Sequence, residues 1–343
     1  MRVLFVKLTS MGDLIHALPA MTDAAKAIPG ISFDWVIEKN FSEVARWHPA
    51  VKNIIPSMHR KWKKDFIGSI KNGEIQQFIR SVRKEKYDVV IDGQTSIKSA
   101  VTMLLTRGLR CGLDRYSARE SWASFAYQKK FFVDKNLHAI KRLRLLFSQV
   151  LGYPFLETQP DYGILSKKFL PVKFPLPKPY LVFVHNASWQ SKLWPESYWR
   201  QLIILAGRDG FHVVLPWGNQ TEKQRAMRIS EHHPNAEVLP FCSLSQHAAI
   251  LQNARGAICS DTGLSHLAAA LNVPALTLYG STSTQFIGTT GLHQKHMISS
   301  FACKKCYKQD CNYDNQLHPD ALCQLTMRPE AVWERFKNVF FKR

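Results

Sequence analysis

Residues 259–269 read CSDTGLSHLAA, and the fold of the whole chain turns on this stretch. The GAIC run that leads into it is short and apolar, whereas Leu264, Leu267, Ala268 and Leu271 recur at helical spacing. The pattern therefore changes from a buried strand to a helix, with a polar turn between them. Thr262 or Ser260 is placed to cap the helix, and Gly263 has no side chain to hold a ligand off the backbone. Free amides at a helix start, together with the helix dipole, suit an anion such as a diphosphate. Asp261 would then face away from the phosphates, because like charges repel, and is left to hold sugar hydroxyls or to cap the helix. A capped helix with no ligand has the same local pattern, so the rest of the chain has to decide.

The same unit recurs upstream. Residues 3–8 are apolar and β-branched, TSMGD at 9–13 is a turn, and a helix is expected over 14–27. The turn lacks the three glycines of a dinucleotide fingerprint and no GxxxxGK[ST] occurs, which removes the main support for NAD and P-loop readings. Asp13 lies just beyond a strand's carboxyl end, where open α/β sheets place functional groups, although a helix cap is its simpler role. His16 reads as a packed helix residue. Further strands are expected at 33–37, 51–55 and 89–92. Helices are expected at 41–47, capped by Asn40, at 74–86, from Gln94 to Lys98 onward, and at 139–150.

The second half restarts the alternation. Strands are expected at 181–185, 212–216, 238–241, 257–260 and 275–279. Between them lie a helix begun by Pro195, a helix over 221–232 with Thr221 and Gln224 as its capping box, and a helix over 244–253. A proline-rich stretch, 153–179, separates the two halves. The fold class is α/β, with two doubly wound domains facing across a cleft where strand ends converge on substrate. The expected domains are 1–152 and 180–325, with 153–179 as linker and a last helix within 326–343. That helix carries Trp333, Phe336, Phe340 and Phe341 on one face, a pattern for packing rather than for a membrane.

At 343 residues, with 45% hydrophobic and 21% charged residues, the chain suits a soluble two-domain protein. No apolar run approaches the roughly 18 residues of a membrane span. The opening MRVLFVK is interrupted at Lys7, unlike a signal peptide, so a cytoplasmic location is expected. The net charge is +20 and unevenly spread: residues 1–175 carry 29 Lys+Arg against 15 Asp+Glu, the remainder 17 against 11. Nucleic acid, an anionic membrane surface and an acidic lipid all match such a balance. The densest basic cluster is HRKWKKDF at 59–66, where Arg60, Lys61, Lys63 and Lys64 surround Trp62. It suits phosphates and carboxylates, with the ring free to pack on a sugar face or lipid, and a solvated loop is the bland reading. Cys111, Cys242 and Cys259 read as buried small apolar residues. Cys303, Cys306, Cys311 and Cys323 have only one C-x2-C pair, so thiols are expected rather than a metal site.

Taken together, TSMGDLIHALPA, FDWVIEKNFSEVARWHPAVKNIIP, KLWPESYWRQL at 192–202, LPWGNQTE at 215–222 and SDTGLSHLAAAL at 260–271 resemble the bacterial ADP-heptose:lipopolysaccharide heptosyltransferases, most closely their type I members. The resemblance reaches to about residue 290. It implies two Rossmann-like domains in the arrangement called GT-B, no metal or cofactor, and inverting transfer of L-glycero-D-manno-heptose from ADP-heptose to the Kdo (3-deoxy-octulosonic acid) of Kdo-lipid A. It also implies a peripheral protein, expected to be a monomer, on the cytoplasmic face of the inner membrane. By the same resemblance Asp13 is the general base. Lys192 neutralises the diphosphate, Glu222 holds the ribose, and Asp261, Thr262, Gly263, Leu264 and His266 bind diphosphate and heptose. Ala187, Ser188 and Cys242 complete the donor set, Ala187 standing where type I members carry a hydroxyl residue. Arg60, Lys61, Lys63, Lys64 and Arg119 would meet Kdo carboxylates and lipid A phosphates. The cysteine-rich tail is closer to types II and III. A nucleic-acid-binding protein would account for the charge but not for the paired turns carrying Asp13 and Asp261, so no nucleic-acid partner is expected.

Overall fold

RVLFV at 2–6 buries four consecutive residues, Val3 to Val6. A strand hidden on both faces belongs to a parallel sheet covered by helices on each side. Both halves of the chain are built this way. In the computed structural model, which describes residues 1–303 and 305–341, the chain divides into two units that part between Lys168 and Phe169.

Unit 1 contains β1 (Arg2–Val6), β2 (Ser32–Glu38), β3 (Val51–Ser57), β4 (Val89–Asp92), β5 (Leu109–Leu113) and β6 (Lys129–Phe131). They form one parallel sheet in the order β3-β2-β1-β4-β5-β6. Unit 2 contains β7 (Tyr180–Val184), β8 (His212–Leu215), β9 (Ala236–Val238), β10 (Gly256–Ser260), β11 (Ala275–Tyr279) and β12 (Gln294–Ile298). Its sheet is also parallel, in the order β12-β11-β10-β7-β8-β9. The order reverses between β1 and β4 in the first sheet and between β7 and β10 in the second. Parallel strands bring all carboxyl ends to one edge, and a crevice opens where successive connections leave in opposite directions.

On one face of the first sheet Phe5 packs edge-on against Trp35 at 5.1 Å and Phe147 at 5.2 Å. Phe147 comes from the helix Ala139–Leu151, which lies against the helix Leu18–Ala27. On the other face Trp62, Phe78, Met103, Ala123 and Tyr127 share one core. Trp62 is therefore not a surface ring for a sugar or a lipid. It is 7% exposed and sits 4.9 Å from His59 and 5.1 Å from Phe78. HRKWKK forms a helix, His59–Lys64, rather than a loop, and the helical phase turns Trp62 inward while its charged neighbours point out.

Three other local expectations are corrected. The helix expected over 14–27 is two, Met11–Ile15 and Leu18–Ala27, the second with Pro19 in its first turn, where a missing amide costs nothing. Asn40 caps no helix: Lys39–Phe41 is a 3-10 turn and Phe41 precedes the helix Ser42–Arg46. Thr221 and Gln224 do not form the capping pair, which is Asn219 with Glu222. Residues 153–168 pack on unit 1. Arg144 donates to the carbonyls of Thr158 at 2.7 Å and Leu156 at 3.1 Å, and the Leu165 amide donates to the Trp47 carbonyl at 3.1 Å. In unit 2 the last helix, Pro329–Phe340, lays Val332, Trp333 and Phe336 into the core formed by Phe183, Trp194 and Trp199. Among the described residues no helix is long and apolar enough to cross a membrane.

Candidate functional site

At the β1/β4 edge of unit 1, the Leu8 and Thr9 amides both donate to Gln94 Oε1 at 3.2 Å, tying the two loops together. Asp13 is the third residue of the helix Met11–Ile15, whose N-cap is Ser10. Its Oδ2 accepts from the Ser10 amide and from the Ser10 hydroxyl, each at 2.9 Å. The capping role is thus real, and both bonds fall on one carboxylate oxygen.

Within electrostatic reach of Asp13 lies a residue that sequence reasoning treated only as a break in an apolar run. Lys7 is buried, and its Nζ donates to the Gly93 carbonyl at 2.8 Å. Burial holds its pKa below the ordinary lysine range; Asp13 and then Asp92 pull it back up, while Arg119 and Arg142 push it down. Gly93 itself is packed tightly on the core, since a Cβ there would lie 2.5 Å from the Phe5 ring. Asp92, fully buried, accepts from the amides of Gln94 at 2.8 Å and Thr95 at 2.9 Å and from the Tyr127 hydroxyl at 2.7 Å. Burial raises its pKa and these bonds oppose the rise.

A cavity of about 170 Å³ opens at the same edge, with Arg60, Lys98 and Arg119 set against Glu38, His59 and Glu120. Burial and then the Lys98 charge push the His59 pKa down to about 4, so this imidazole is neutral at pH 7. Of the expected cationic residues, Arg60 and Arg119 line the cavity. Lys61 is ion-paired with Glu74, and Lys63 and Lys64 are exposed on the helix without lining it. Lys98 and His59 were missed as site residues: Lys98 had been read only as part of a helix start.

At the β7/β10 edge of unit 2 the turn after β10 is as expected. Thr262 is the N-cap of the helix Gly263–Ala270, with extended backbone, and its amide donates to Ser265 Oγ at 3.4 Å. Asp261 is no cap. It is buried, its Oδ2 2.7 Å from Lys192 Nζ and 2.6 Å from the Thr282 hydroxyl that donates to it. The Lys192 ammonium also lies 4.7 Å from the centre of the Trp189 ring. This brings Lys192, Asp261 and Thr262 together. Gly263 and Leu264 are half-buried in the first helical turn, and His266 is buried in the second. On the β7 loop Ala187 is half-buried and Ser188 exposed. Next to it His185 is buried, its pKa pushed down to about 3 by burial and by Arg225, so it stays neutral.

Beyond β8, Glu222 Oε2 accepts from the Gly218 amide at 2.7 Å, and the Glu222 amide donates to Asn219 Oδ1 at 3.0 Å. Glu222 is thus held at a helix start. Beside it Trp217 packs 5.4 Å from Phe241, a ring 67% exposed, and donates from Nε1 to the Leu239 carbonyl at 2.6 Å. Cys242 follows Phe241 and is buried, its thiol 3.3 Å from the Pro240 carbonyl. Trp217, Phe241 and Thr282 were not singled out as site residues: Trp217 and Thr282 come two and three residues after strands, and Phe241 was read as the end of a strand over 238–241. The four tail cysteines are free thiols. Burial and then the neighbouring Cys303, Cys311 and Cys306 push the Cys323 thiol up to about 12.

The profile of glycosyltransferase family 9 (heptosyltransferase) matches residues 75–317. Lipopolysaccharide heptosyltransferase 1 of Pseudomonas aeruginosa is 47% identical over 342 residues, covering 97% of this chain and 96% of that protein. The Salmonella typhimurium protein of the same name is 44% identical over 295 residues, covering 86% and 93%. A solved structure of the E. coli heptosyltransferase WaaC with ADP superposes with a TM-score of 0.86 at 38% identity, covering 98% of this chain and 99% of that one.

Proposed function

The chain belongs to glycosyltransferase family 9, the heptosyltransferases, and from that premise we propose that it transfers L-glycero-D-manno-heptose from ADP-heptose to the Kdo of Kdo-lipid A, with inversion at the anomeric carbon. The observation that carries this reading is the turn of unit 2 that combines Lys192, Asp261 and the start of the helix Gly263–Ala270. An ammonium and first-turn amides are what a departing ADP requires. Of the three N–H groups on Lys192, one is engaged by Asp261, so the carboxylate fixes the ammonium in place and the others remain for phosphate oxygens. Glu222 takes the ribose, exchanging the Gly218 amide for sugar hydroxyls. The Trp217 and Phe241 rings, tilted 55° to one another beside Cys242, offer apolar faces for the adenine.

In unit 1 the acceptor's carboxylate meets Arg60, Lys98 and Arg119. Asp13 Oδ1 takes the proton of the acceptor hydroxyl as its oxygen bonds to the anomeric carbon, and the bond from that carbon to the diphosphate breaks on the opposite side. One carboxylate suffices for this, because inversion is a single displacement. Lys7 contributes a favourable electrostatic interaction with the Asp13 carboxylate. The acceptor is a membrane lipid, and we place the enzyme peripherally on the cytoplasmic face of the inner membrane. The test is incubation with ADP-heptose and either Kdo-lipid A or its heptosylated form. Addition of one heptose to the first is expected. Addition only to the second would assign a type II acceptor, and none to either would overturn the proposal.

A further inference from the structure

Three segments cover one face of the first sheet and feed a single core: the helices Glu74–Arg83 and Ile97–Leu105 and the 3-10 segment Ser121–Ala126. Ala100 and Met103 point into that core, and so do Ala123 and Ala126. The outward positions are nonetheless apolar. Ile97, Val101 and Leu104, spaced by four and three residues, form an exposed stripe on one helix. Trp122 and Phe125 stand 72% and 74% exposed on the segment packed beside it, their rings 5.5 Å apart. Large rings in water at this exposure cost solvation free energy that ordinary surfaces avoid, and a contiguous patch of them marks an interaction site. Cations rim it: Lys130 Nζ lies 5.8 Å from the Phe125 ring, Lys129 is exposed beside it, and Lys98 follows Ile97. Glu120 is the acidic neighbour in sequence, and its carboxylate is taken by the Ile97 amide at 2.9 Å. A smaller outcrop of the same kind, Phe66, Ile67 and Ile70, is exposed on the helix Phe66–Lys71, which packs on Glu74–Arg83 and has Lys63, Lys64 and Lys71 around it. There Asp65 is engaged by the Gly68 amide and Glu74 by Lys61.

We infer that this face of unit 1, centred on Trp122, Phe125 and the Val101–Leu104 stripe, is the surface that docks on an anionic lipid bilayer. Aromatic rings ringed by lysines are suited to the boundary between headgroups and acyl chains, where rings enter and ammonium groups meet phosphates. A second copy of this chain would bring like charge against like charge, since residues 1–175 carry 29 Lys+Arg against 15 Asp+Glu. Continuity with the cavity argues the same way. Ser96 and Lys98, at the start of the striped helix, also line the cavity, so an acceptor sugar there keeps its lipid toward the stripe. The inference rests on the lipid-linked acceptor proposed above, and it adds which face meets the membrane.

Binding to sedimented vesicles of phosphatidylglycerol with phosphatidylcholine, and to phosphatidylcholine alone, tests it with the full chain. The wild type is expected to bind the anionic vesicles, to release with salt, and to leave the neutral ones. The pair Trp122→Ser, Phe125→Ser and the pair Lys129→Glu, Lys130→Glu should each lower the partition coefficient by roughly tenfold or more. Melting temperature and transfer to a water-soluble, lipid-free Kdo glycoside should stay at wild-type levels in both. Vesicle binding unchanged in the variants would overturn the inference, as would loss of soluble-acceptor transfer in parallel with binding. A change of oligomeric state in place of vesicle binding would assign the face to a second copy. Failure of the wild type to transfer to any acceptor, with the vesicle results intact, would reject the proposed reaction and leave the docking face standing.

Discussion

Lys192→Ala should do two things at once, because Lys192 serves both the donor and a buried carboxylate. Its Nζ is 2.7 Å from Asp261 Oδ2, with side-chain exposures of 15% and 4%. At that separation the attraction is about 6 kcal/mol for an effective dielectric constant near 20. Removing one partner of a buried pair typically costs about 3–5 kcal/mol, since the other charge is stranded. Asp261 keeps the Thr282 hydroxyl and so part of its compensation. The expected loss is therefore about 3 kcal/mol, the lower end of that range. Urea unfolding, with hydrogen exchange to localise the loss to unit 2, measures it. The double variant Lys192→Met, Asp261→Asn should regain stability while still failing to bind ADP-heptose by calorimetry. An unchanged stability for Lys192→Ala at pH 7 would refute the buried pair, and unchanged donor affinity would remove Lys192 from the site.

Glu222→Ala should weaken ADP-heptose binding by roughly 10- to 100-fold, the worth of a charge-assisted contact. It should also cost the helix start about 1 kcal/mol through the lost Gly218 contact; calorimetry and melting separate the two effects. Charge removal at Arg60 and Lys98 should raise the acceptor KM with donor affinity unchanged, whereas Lys63 and Lys64, which do not line the cavity, should matter less; initial rates against Kdo-lipid A concentration discriminate. His48 accepts the Ala50 amide at Nδ1, 3.2 Å away, and pairs through Nε2 with Thr22 at 3.0 Å, so the ring is neutral when folded. Burial, reinforced by the Lys168 charge, pushes its pKa down to about 4. Its unfolded form takes a proton below about 6.5, so stability of unit 1 should fall by up to roughly 3 kcal/mol from pH 6.5 to pH 4. A His48→Gln variant should flatten that slope in acid titration followed by circular dichroism.

The alternation of strand and helix was legible where strands are buried on both faces. YLVFV of β7, GAICS of β10 and ALTLY of β11 are each wholly buried and nearly free of charge. The strands missed were β5, β6 and β12. KKF of β6 and QKHMI of β12 lie at sheet edges, where one side faces water and no apolar run is required, and RCG in β5 mixes charge with glycine. In the site, Asp13 and Asp261 stood out because each is a carboxylate in the turn after an apolar strand, whereas Lys192 was singled out only by the resemblance to the heptosyltransferases. Lys7 was not, because what distinguishes it is burial, a tertiary fact that no spacing displays. The four cations around Trp62 were visible as a cluster. Which of them lines the cavity depends on the phase of a six-residue helix that the charge pattern concealed.

The most direct measurement of the central claim is transfer from ADP-heptose to Kdo-lipid A by the Asp13→Asn variant. Asparagine keeps the shape and can still accept the Ser10 amide bond, so the fold and donor affinity should be retained. Only the proton acceptor is lost, and turnover should fall by roughly 100- to 10,000-fold. A cap without a catalytic role predicts the reverse, near-normal turnover with a stability loss of about 1 kcal/mol or less. A well-folded Asp13→Asn enzyme with wild-type turnover would contradict the account.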